Sequence, residues 1–188
     1  MKKMNSTKTT ARIADTSQRK AARVAGFMFL FSLIVPLFNW IFVLSKLIVA
    51  ENVIATANNI MANELLFRIG ITIELIMSVG LIVLGLALYI ILKPVNKNLA
   101  LLALLWKLAE AIIVAVIVLV SFIALQILNG GAYLTAFTLE QLQAPVGFLL
   151  NEHTVLYSIP MVFLGLGSIV FFYLFFKSKY IPRILAGF

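Results

Sequence analysis

Two charged residues interrupt one of the most apolar parts of the chain. Lys107 and Glu110 lie near the middle of residues 99–128, a segment long enough to cross a membrane. At the centre of a membrane helix each charge costs about 2.5–3.5 kcal/mol, so it needs a partner or a function. Residues three apart are neighbours on a helix, so these two can form an ion pair. They are the best indication of chemistry in the sequence, although they do not define a reaction.

A third charge lies at a comparable depth on another segment. With a rise of 1.5 Å per residue, Glu74 is about 13 Å into the apolar segment 65–92, which places it near the membrane midplane together with Lys107 and Glu110. Two acids and one base leave a formal charge of −1 if all are ionised. The sequence therefore predicts an intramembrane polar network of Glu74, Lys107 and Glu110. Its role is either to fix helix register or to form a proton- or cation-linked site.

A second group of polar residues lies closer to the outer ends of the apolar segments. We expect these residues to be candidates for an outward-facing polar pocket: Asn39, Arg68, Gln126, His153 and Tyr157. Arg68 is also four residues from Glu64, the spacing of a helical ion pair. His153 by itself is more typical of a membrane interface than of a proton carrier.

Several classes of site have no support in the sequence. There is no cysteine, which excludes disulfides, thiolate nucleophiles and thiolate metal sites within the chain. A single histidine excludes a zinc or haem site that needs two histidines from one chain. Phosphate-binding glycine loops and common hydrolase motifs are also missing. We therefore expect no catalytic residue, no metal and no cofactor.

The composition indicates an integral membrane protein. Of 188 residues, 63% are hydrophobic and 12% are charged, and the mean hydropathy is +1.09. A soluble domain has about 45–50% apolar and about 25% charged residues. The apolar runs are long and lack strand-like alternation, which favours helices over a barrel. We predict an all-α membrane protein with a basic tail, residues 1–23, and a single helical transmembrane domain, residues 24–188.

Four segments are long enough to cross a membrane, at about residues 24–44, 65–92, 99–128 and 155–176. The sequence predicts a bundle of four transmembrane helices. The two outer loops, 51–66 and 137–151, are predicted to contain short amphipathic helices. Thr138 is a plausible N-cap for the second of these, and Pro145 is expected to interrupt it.

The distribution of charge predicts the orientation. Lysine and arginine are concentrated in residues 1–23, in the link at 93–97 and in residues 177–183, which lie on one side if there are four crossings. The positive-inside rule places these stretches, and both termini, on the cytoplasmic side. We expect the membrane to be the inner (plasma) membrane of the cell. The net charge of +8 then indicates contact with anionic lipid headgroups. Nucleic-acid binding is not expected, because the basic residues are divided among three short stretches.

Four strings in the sequence carry a family resemblance. They are ARVAG at 22–26, ANNIMANE at 57–64 running into LFRIGI at 66–71, LKPVNKNL at 92–99, and FKSKYIPRIL at 176–185. In order and spacing, they resemble the bacterial multi-pass membrane family described as domain of unknown function 4386. The resemblance implies no established activity or site residues. Members of that family typically continue into further hydrophobic sequence, so we expect a short or a truncated member.

Three functional hypotheses follow. The first is a non-enzymatic helical bundle that associates with itself or with a membrane partner. The second is a small transporter or proton-linked channel component that uses Glu74, Lys107 and Glu110. The third is a membrane enzyme or a binding protein for a lipid-soluble molecule, with Arg68 and His153 at an outer pocket. If the three charged groups meet in a packed interior without a cavity, transport loses most of its support.

Overall fold

The computed structural model describes residues 3–130, 138–178 and 180, without the side chains of residues 3–15, 139, 140, 151, 153 and 154. This part of the chain contains helices and no β-strand. The helices are α1 (Lys3–Asn39), a π-helical turn (Trp40–Leu44), α2 (Ser45–Leu47), α3 (Val53–Ala62), α4 (Glu64–Leu92), α5 (Lys97–Leu128), α6 (Leu139–Asn151), α7 (His153–Leu156) and α8 (Ser158–Ser178). The predicted helical fold class is confirmed.

Four helical segments within the described residues are long and apolar enough to cross a membrane: Thr16–Leu47, Glu64–Leu92, Lys97–Leu128 and Ser158–Ser178. They correspond to the four predicted crossings. The largest difference is at the first segment, where α1 extends well before residue 24 because the basic N-terminal stretch continues the same helix. The boundary predicted at residues 23 and 24 is therefore not a break in secondary structure.

Local sequence explains where several helices begin. The Asn96 side chain accepts a hydrogen bond from the backbone N–H of Leu99, at 3.1 Å, and so caps α5. Thr138 and Gln141 form a reciprocal capping box at the start of α6. After α5, Gly130 adopts a φ of 65°, a conformation that glycine enters without steric cost.

The long helices pack in a simple order, with α1 against α4, α4 against α5, and α5 against α8. The link between α4 and α5 lies beside the start of the first apolar segment and the end of α8. We call this the basic end, because Arg19, Lys93 and Lys177 lie there. The short helices α3 and α6 pack on each other at the opposite end, which we call the α3–α6 end. Each end has its own cluster of buried apolar side chains.

The α3–α6 contact includes a hydrogen bond of 2.9 Å between the amides of Gln143 and Asn58. Gly147 faces the backbone of Val53 so closely that any β-carbon would collide with it. The expectation that Pro145 interrupts the helix is wrong, because α6 continues through it to Asn151. Pro145 is on an exposed face of α6, where a carbonyl that loses its helical partner is not buried.

Candidate functional site

Lys107 and Glu110 form a closed ion pair inside the bundle. The Lys107 Nζ lies 2.8 Å from Glu110 Oε2, and each residue is only 6% exposed. The Lys107 stem packs tightly on α4, since a β-carbon at Gly85 would come within 3.0 Å of Lys107 Cγ. Glycine at position 85 therefore allows the two helices to approach at the level of the pair. The two opposite charges compensate each other within one turn of α5.

Glu74 does not join this pair, and the register of the two helices explains why. The Ser78 hydroxyl donates a hydrogen bond of 2.8 Å to the Ala111 carbonyl, so these residues are at the same level. Helices α4 and α5 run in opposite directions. Glu74 is therefore about 6 Å above this level and Lys107 about 6 Å below it, a separation of about 12 Å along the bundle. The Lys107 ammonium pairs with Glu110, on its own helix.

Glu74 is instead part of a cluster with Asn39 and Tyr157. The Asn39 amide Nδ2 donates to Glu74 Oε1 at 3.3 Å and to the Gly70 carbonyl at 3.4 Å. The Tyr157 hydroxyl also interacts with the Glu74 carboxylate. We call Asn39, Glu74 and Tyr157 the carboxylate cluster. It unites one residue of the predicted network with two of the predicted pocket.

The backbone of the first apolar segment is irregular at this cluster. Pro36 lies one turn before Asn39, and the π-helical turn Trp40–Leu44 follows it directly. Proline removes a backbone donor from the helix, and π-turns are frequent at functional sites. On the facing helix, a β-carbon at Gly70 would lie 3.3 Å from Asn39 Oδ1 and 3.0 Å from Val43 Cγ1. The absence of a side chain at Gly70 therefore lets Asn39 reach α4.

Asn39 has one unusual atom. Its side chain is 1% exposed, and among the described residues its Oδ1 has no hydrogen-bond partner. Buried acceptors of this kind are uncommon, because leaving one unpaired costs about 1–3 kcal/mol. The residue is held in place by its two donated hydrogen bonds. The Oδ1 atom packs against α4 at Gly70, so the unsatisfied acceptor lies in the contact between the two helices.

The carboxylate cluster lines a cavity of about 270 Å³. Its other walls are mainly apolar and come from the first apolar segment and α4: Val35, Pro36, Trp40, Leu44, Ile73 and Met77. Binding sites for small molecules commonly combine apolar walls with a few convergent polar groups. This cavity fits that description, because the three residues of the cluster supply the polar groups.

The other residues of the predicted outer pocket do not line this cavity. Arg68 is exposed and pairs with Glu64, with 2.6 Å between Arg68 Nε and Glu64 Oε1. Gln126 is also exposed, near the end of α5. The His153 side chain lies outside the described residues. Arg68 is therefore a surface residue in an ion pair of the predicted i,i+4 spacing, rather than part of the polar wall.

Sequence reasoning did not identify the walls of the cavity. Trp40, Ile73 and Met77 resemble any other apolar residue of a membrane helix. A usable signal was the combination of Pro36 with Asn39 one turn later, since a proline and an amide on one helix face mark an irregular polar position. No group of three or more potential metal-binding side chains occurs within the described ranges.

Comparison with known protein families identifies a family to which this chain belongs. Neither the curated proteins nor the solved structures contain one that matches this chain. The model of one protein family, described as "Domain of unknown function (DUF4386)", matches residues 24–188, which include all four apolar segments except the start of the first. The carboxylate cluster and the Lys107–Glu110 pair both fall inside the matched region. The chain belongs to the DUF4386 family.

Proposed function

We propose that the protein binds a small lipid-soluble molecule in the cavity at the carboxylate cluster. The observation that carries the proposal is the position of Glu74, a carboxylate that lines a mainly apolar cavity among helices long and apolar enough to span a membrane. A ligand that enters from the hydrocarbon phase finds apolar walls and one polar wall.

The polar wall favours a ligand with a hydrogen-bond donor. The Glu74 carboxylate is an acceptor, and the polar groups beside it, the Asn39 amide and the Tyr157 hydroxyl, are both neutral. A protonated amine adds a charge opposite to that of the carboxylate. The aromatic rings of Trp40 and Tyr157 also line the cavity, and aromatic faces attract cations by about 0.5–2 kcal/mol. A lipid-soluble amine is therefore the ligand class that fits best.

Trp40 provides a direct test. The chain has two tryptophans, and Trp40 lines the cavity whereas Trp106 does not. In a Trp106→Phe background in detergent, we expect phenethylamine to change the Trp40 emission in a saturable way. The alcohol 2-phenylethanol, which has the same carbon skeleton without the charge, should bind at least about tenfold more weakly, a difference of about 1.4 kcal/mol.

The matched variants are Glu74→Gln and Glu110→Gln in the same background. Both remove a buried carboxylate, but only Glu74 lines the cavity. Glu74→Gln should abolish the preference for the amine, and folded Glu110→Gln should retain it. Equal binding of phenethylamine by wild type and Glu74→Gln would contradict the proposal.

Association with itself or with a membrane partner is a second candidate function. The observation in its favour is that α1 packs on α4 and leaves a broad apolar face of Phe27, Leu30 and Leu33 exposed. Cross-linking in native membranes tests it: a chain that remains monomeric and captures no partner would exclude this function. The transport hypothesis receives less support, because the three charged groups that it needs are divided between two sites.

We also propose that the basic end faces the cytoplasm from the inner (plasma) membrane, as the positive-inside rule predicts. The chain lacks cysteine, so single cysteines can report its topology. Ser17→Cys at the basic end should be protected from a membrane-impermeant maleimide in intact cells. Asn129→Cys at the α3–α6 end should be labelled. The reverse pattern would invert the proposed orientation.

A further inference from the structure

A second and larger cavity lies at the basic end, far from the carboxylate cluster. It is a groove of about 570 Å³ between α1 and the end of α8, with α4 as its floor. Its walls are formed largely by small and apolar side chains: Ala22, Ala25, Gly26, Phe29, Leu84, Leu88, Ile91, Phe172 and Phe175. Gln18, Arg19 and Tyr180 lie at the end of the groove closest to the membrane surface, which we call its surface end. We call this feature the α1–α8 groove.

Small residues on α1 create the groove. Ala22 and Gly26 are one turn apart, and a β-carbon at Gly26 would meet no other atom within 4 Å. From Gln18 to Phe29 the groove follows twelve residues of helix, whose eleven steps span about 16 Å. One leaflet of a membrane contributes about half of a 30 Å hydrocarbon core. The groove therefore has the length of one acyl chain.

The surface end of the groove is polar and positively charged. Arg19 and Gln18 lie at the level where the apolar segment begins, and Tyr180 is an aromatic residue of the kind enriched at membrane interfaces. Lys20 and Lys177 are exposed at the same end. In the sequence, residues 15–23, 93–97 and 177–183 contain eight lysines and arginines and a single acid, Asp15. The basic end therefore attracts anions near the membrane surface.

We propose that the α1–α8 groove binds an anionic diacyl phospholipid such as phosphatidylglycerol. One acyl chain lies along Ala22, Gly26 and Phe29, between α1 and Phe172. The phosphate lies at the surface end of the groove, where Arg19 can form charge-assisted hydrogen bonds with it. This inference uses none of the residues of the carboxylate cluster, so either proposal can fail without the other.

Gly26→Leu tests the apolar part of the groove. The new side chain has space to enter the groove, so it should exclude the acyl chain without a clash in the protein. The matched control is Gly165→Leu on α8, because Gly165 is also exposed, also has nothing within 4 Å of its β-carbon, and does not line the groove. Both substitutions replace a helical glycine by a better helix former.

The measurement is native mass spectrometry of the full chain, released from detergent with equal amounts of phosphatidylglycerol and phosphatidylcholine. Wild type and Gly165→Leu should retain one phosphatidylglycerol in preference to phosphatidylcholine, and Gly26→Leu should lose at least about 90% of that adduct. A Gly26→Leu adduct equal to that of Gly165→Leu would overturn the proposal. So would a wild-type adduct with no preference between the two lipids.

Arg19→Gln tests the polar part, with Lys93→Gln as its control. Lys93 carries the same charge at the same end but does not line the groove. Arg19→Gln should reduce the preference for phosphatidylglycerol at least threefold and leave phosphatidylcholine binding unchanged, whereas Lys93→Gln should change neither. Equal effects of the two variants would assign the preference to the general surface charge and overturn the specific site. Loss of a dimer signal in Gly26→Leu, with lipid binding unchanged, would assign the groove to a second copy of the chain instead.

Discussion

Two polar sites in the same bundle handle buried charge in different ways. Lys107 and Glu110 neutralise each other within one turn of α5, and α4 packs against them at Gly85. Glu74 accepts a hydrogen bond from the neutral Asn39 amide, interacts with the neutral Tyr157 hydroxyl and lines a cavity. The charges of the first site compensate each other, although Lys107 also lines a small cavity of about 120 Å³, whereas the Glu74 carboxylate lines a larger cavity of about 270 Å³ with neutral polar side chains beside it. In this bundle, therefore, the surroundings of a buried charge are a better indication of function than its depth in the membrane.

The difference has an energetic consequence. Removing one member of a buried ion pair leaves the other charge without compensation, which costs about 3–5 kcal/mol. Replacing a carboxylate by an amide beside neutral donors leaves most hydrogen bonds possible, and hydrogen bonds between membrane helices average about 0.6 kcal/mol. Stability should therefore depend strongly on the Lys107–Glu110 pair and weakly on the carboxylate cluster.

The largest effect is expected for Glu110→Leu. This change leaves Lys107 buried without its partner, so the free energy of unfolding should fall by about 3–5 kcal/mol. Unfolding in mixed micelles, followed by circular dichroism, measures the change. The double variant Lys107→Met with Glu110→Leu should recover most of the loss, because an apolar pair of similar volume needs no compensation. A stable Glu110→Leu single variant would contradict the description of the pair as structural.

A smaller loss is expected when the packing around the pair is changed and its charges are kept. Gly85→Leu places a side chain where a β-carbon alone would come within 3.0 Å of Lys107 Cγ and 3.2 Å of Leu104 Cδ1. Such overpacking typically costs about 1–3 kcal/mol. The same unfolding measurement applies, with Gly165→Leu as the control, because Gly165 has open space around it. Equal stability of the two variants would show that α4 and α5 separate easily at this level.

Sequence alone predicted much of the fold because apolar length is a property of each segment by itself. The four crossings and the Thr138 cap depend on nearby residues, so their positions could be inferred with small errors. The interruption at Pro145 could not be judged in the same way, since it depends on which face of α6 is exposed.

The grouping of polar residues was harder to predict because it depends on the register between helices. The predicted depth of Glu74 is measured from the start of segment 65–92, whereas that of Lys107 is measured from the start of segment 99–128, on the other side of the membrane. Because α4 and α5 are both longer than a membrane core, the two starting points need not lie at the membrane surfaces. A shift of a few residues then places two groups about 12 Å apart along the bundle. Asn39 and Tyr157, which the sequence analysis assigned to an outer pocket, line the same cavity as Glu74 in the structure.

Glu74→Gln should separate ligand binding from stability. Glutamine has nearly the same volume and can accept hydrogen bonds from Asn39 and Tyr157, so the free energy of unfolding should change by less than about 1 kcal/mol. The preference for phenethylamine over 2-phenylethanol should nevertheless disappear. Parallel unfolding and Trp40 fluorescence measurements on one preparation test both statements. A loss of stability close to that of Glu110→Leu would remove the distinction between the two sites.

The smallest effect is expected for the coupling between Tyr157 and Glu74. A double-mutant cycle of Tyr157→Phe and Glu74→Leu, in which each single variant removes the interaction, should give a coupling in the free energy of unfolding of about 0.6 kcal/mol, the average for hydrogen bonds between membrane helices. The corresponding cycle for Lys107→Met and Glu110→Leu should give several kcal/mol, because each single variant there leaves a buried charge unpaired. Similar couplings in the two cycles would mean that Tyr157 and Glu74 form a structural lock rather than the wall of a binding site. If the coupling is weak, a ligand can replace the interaction between Tyr157 and Glu74 at little cost in free energy, as a binding site requires.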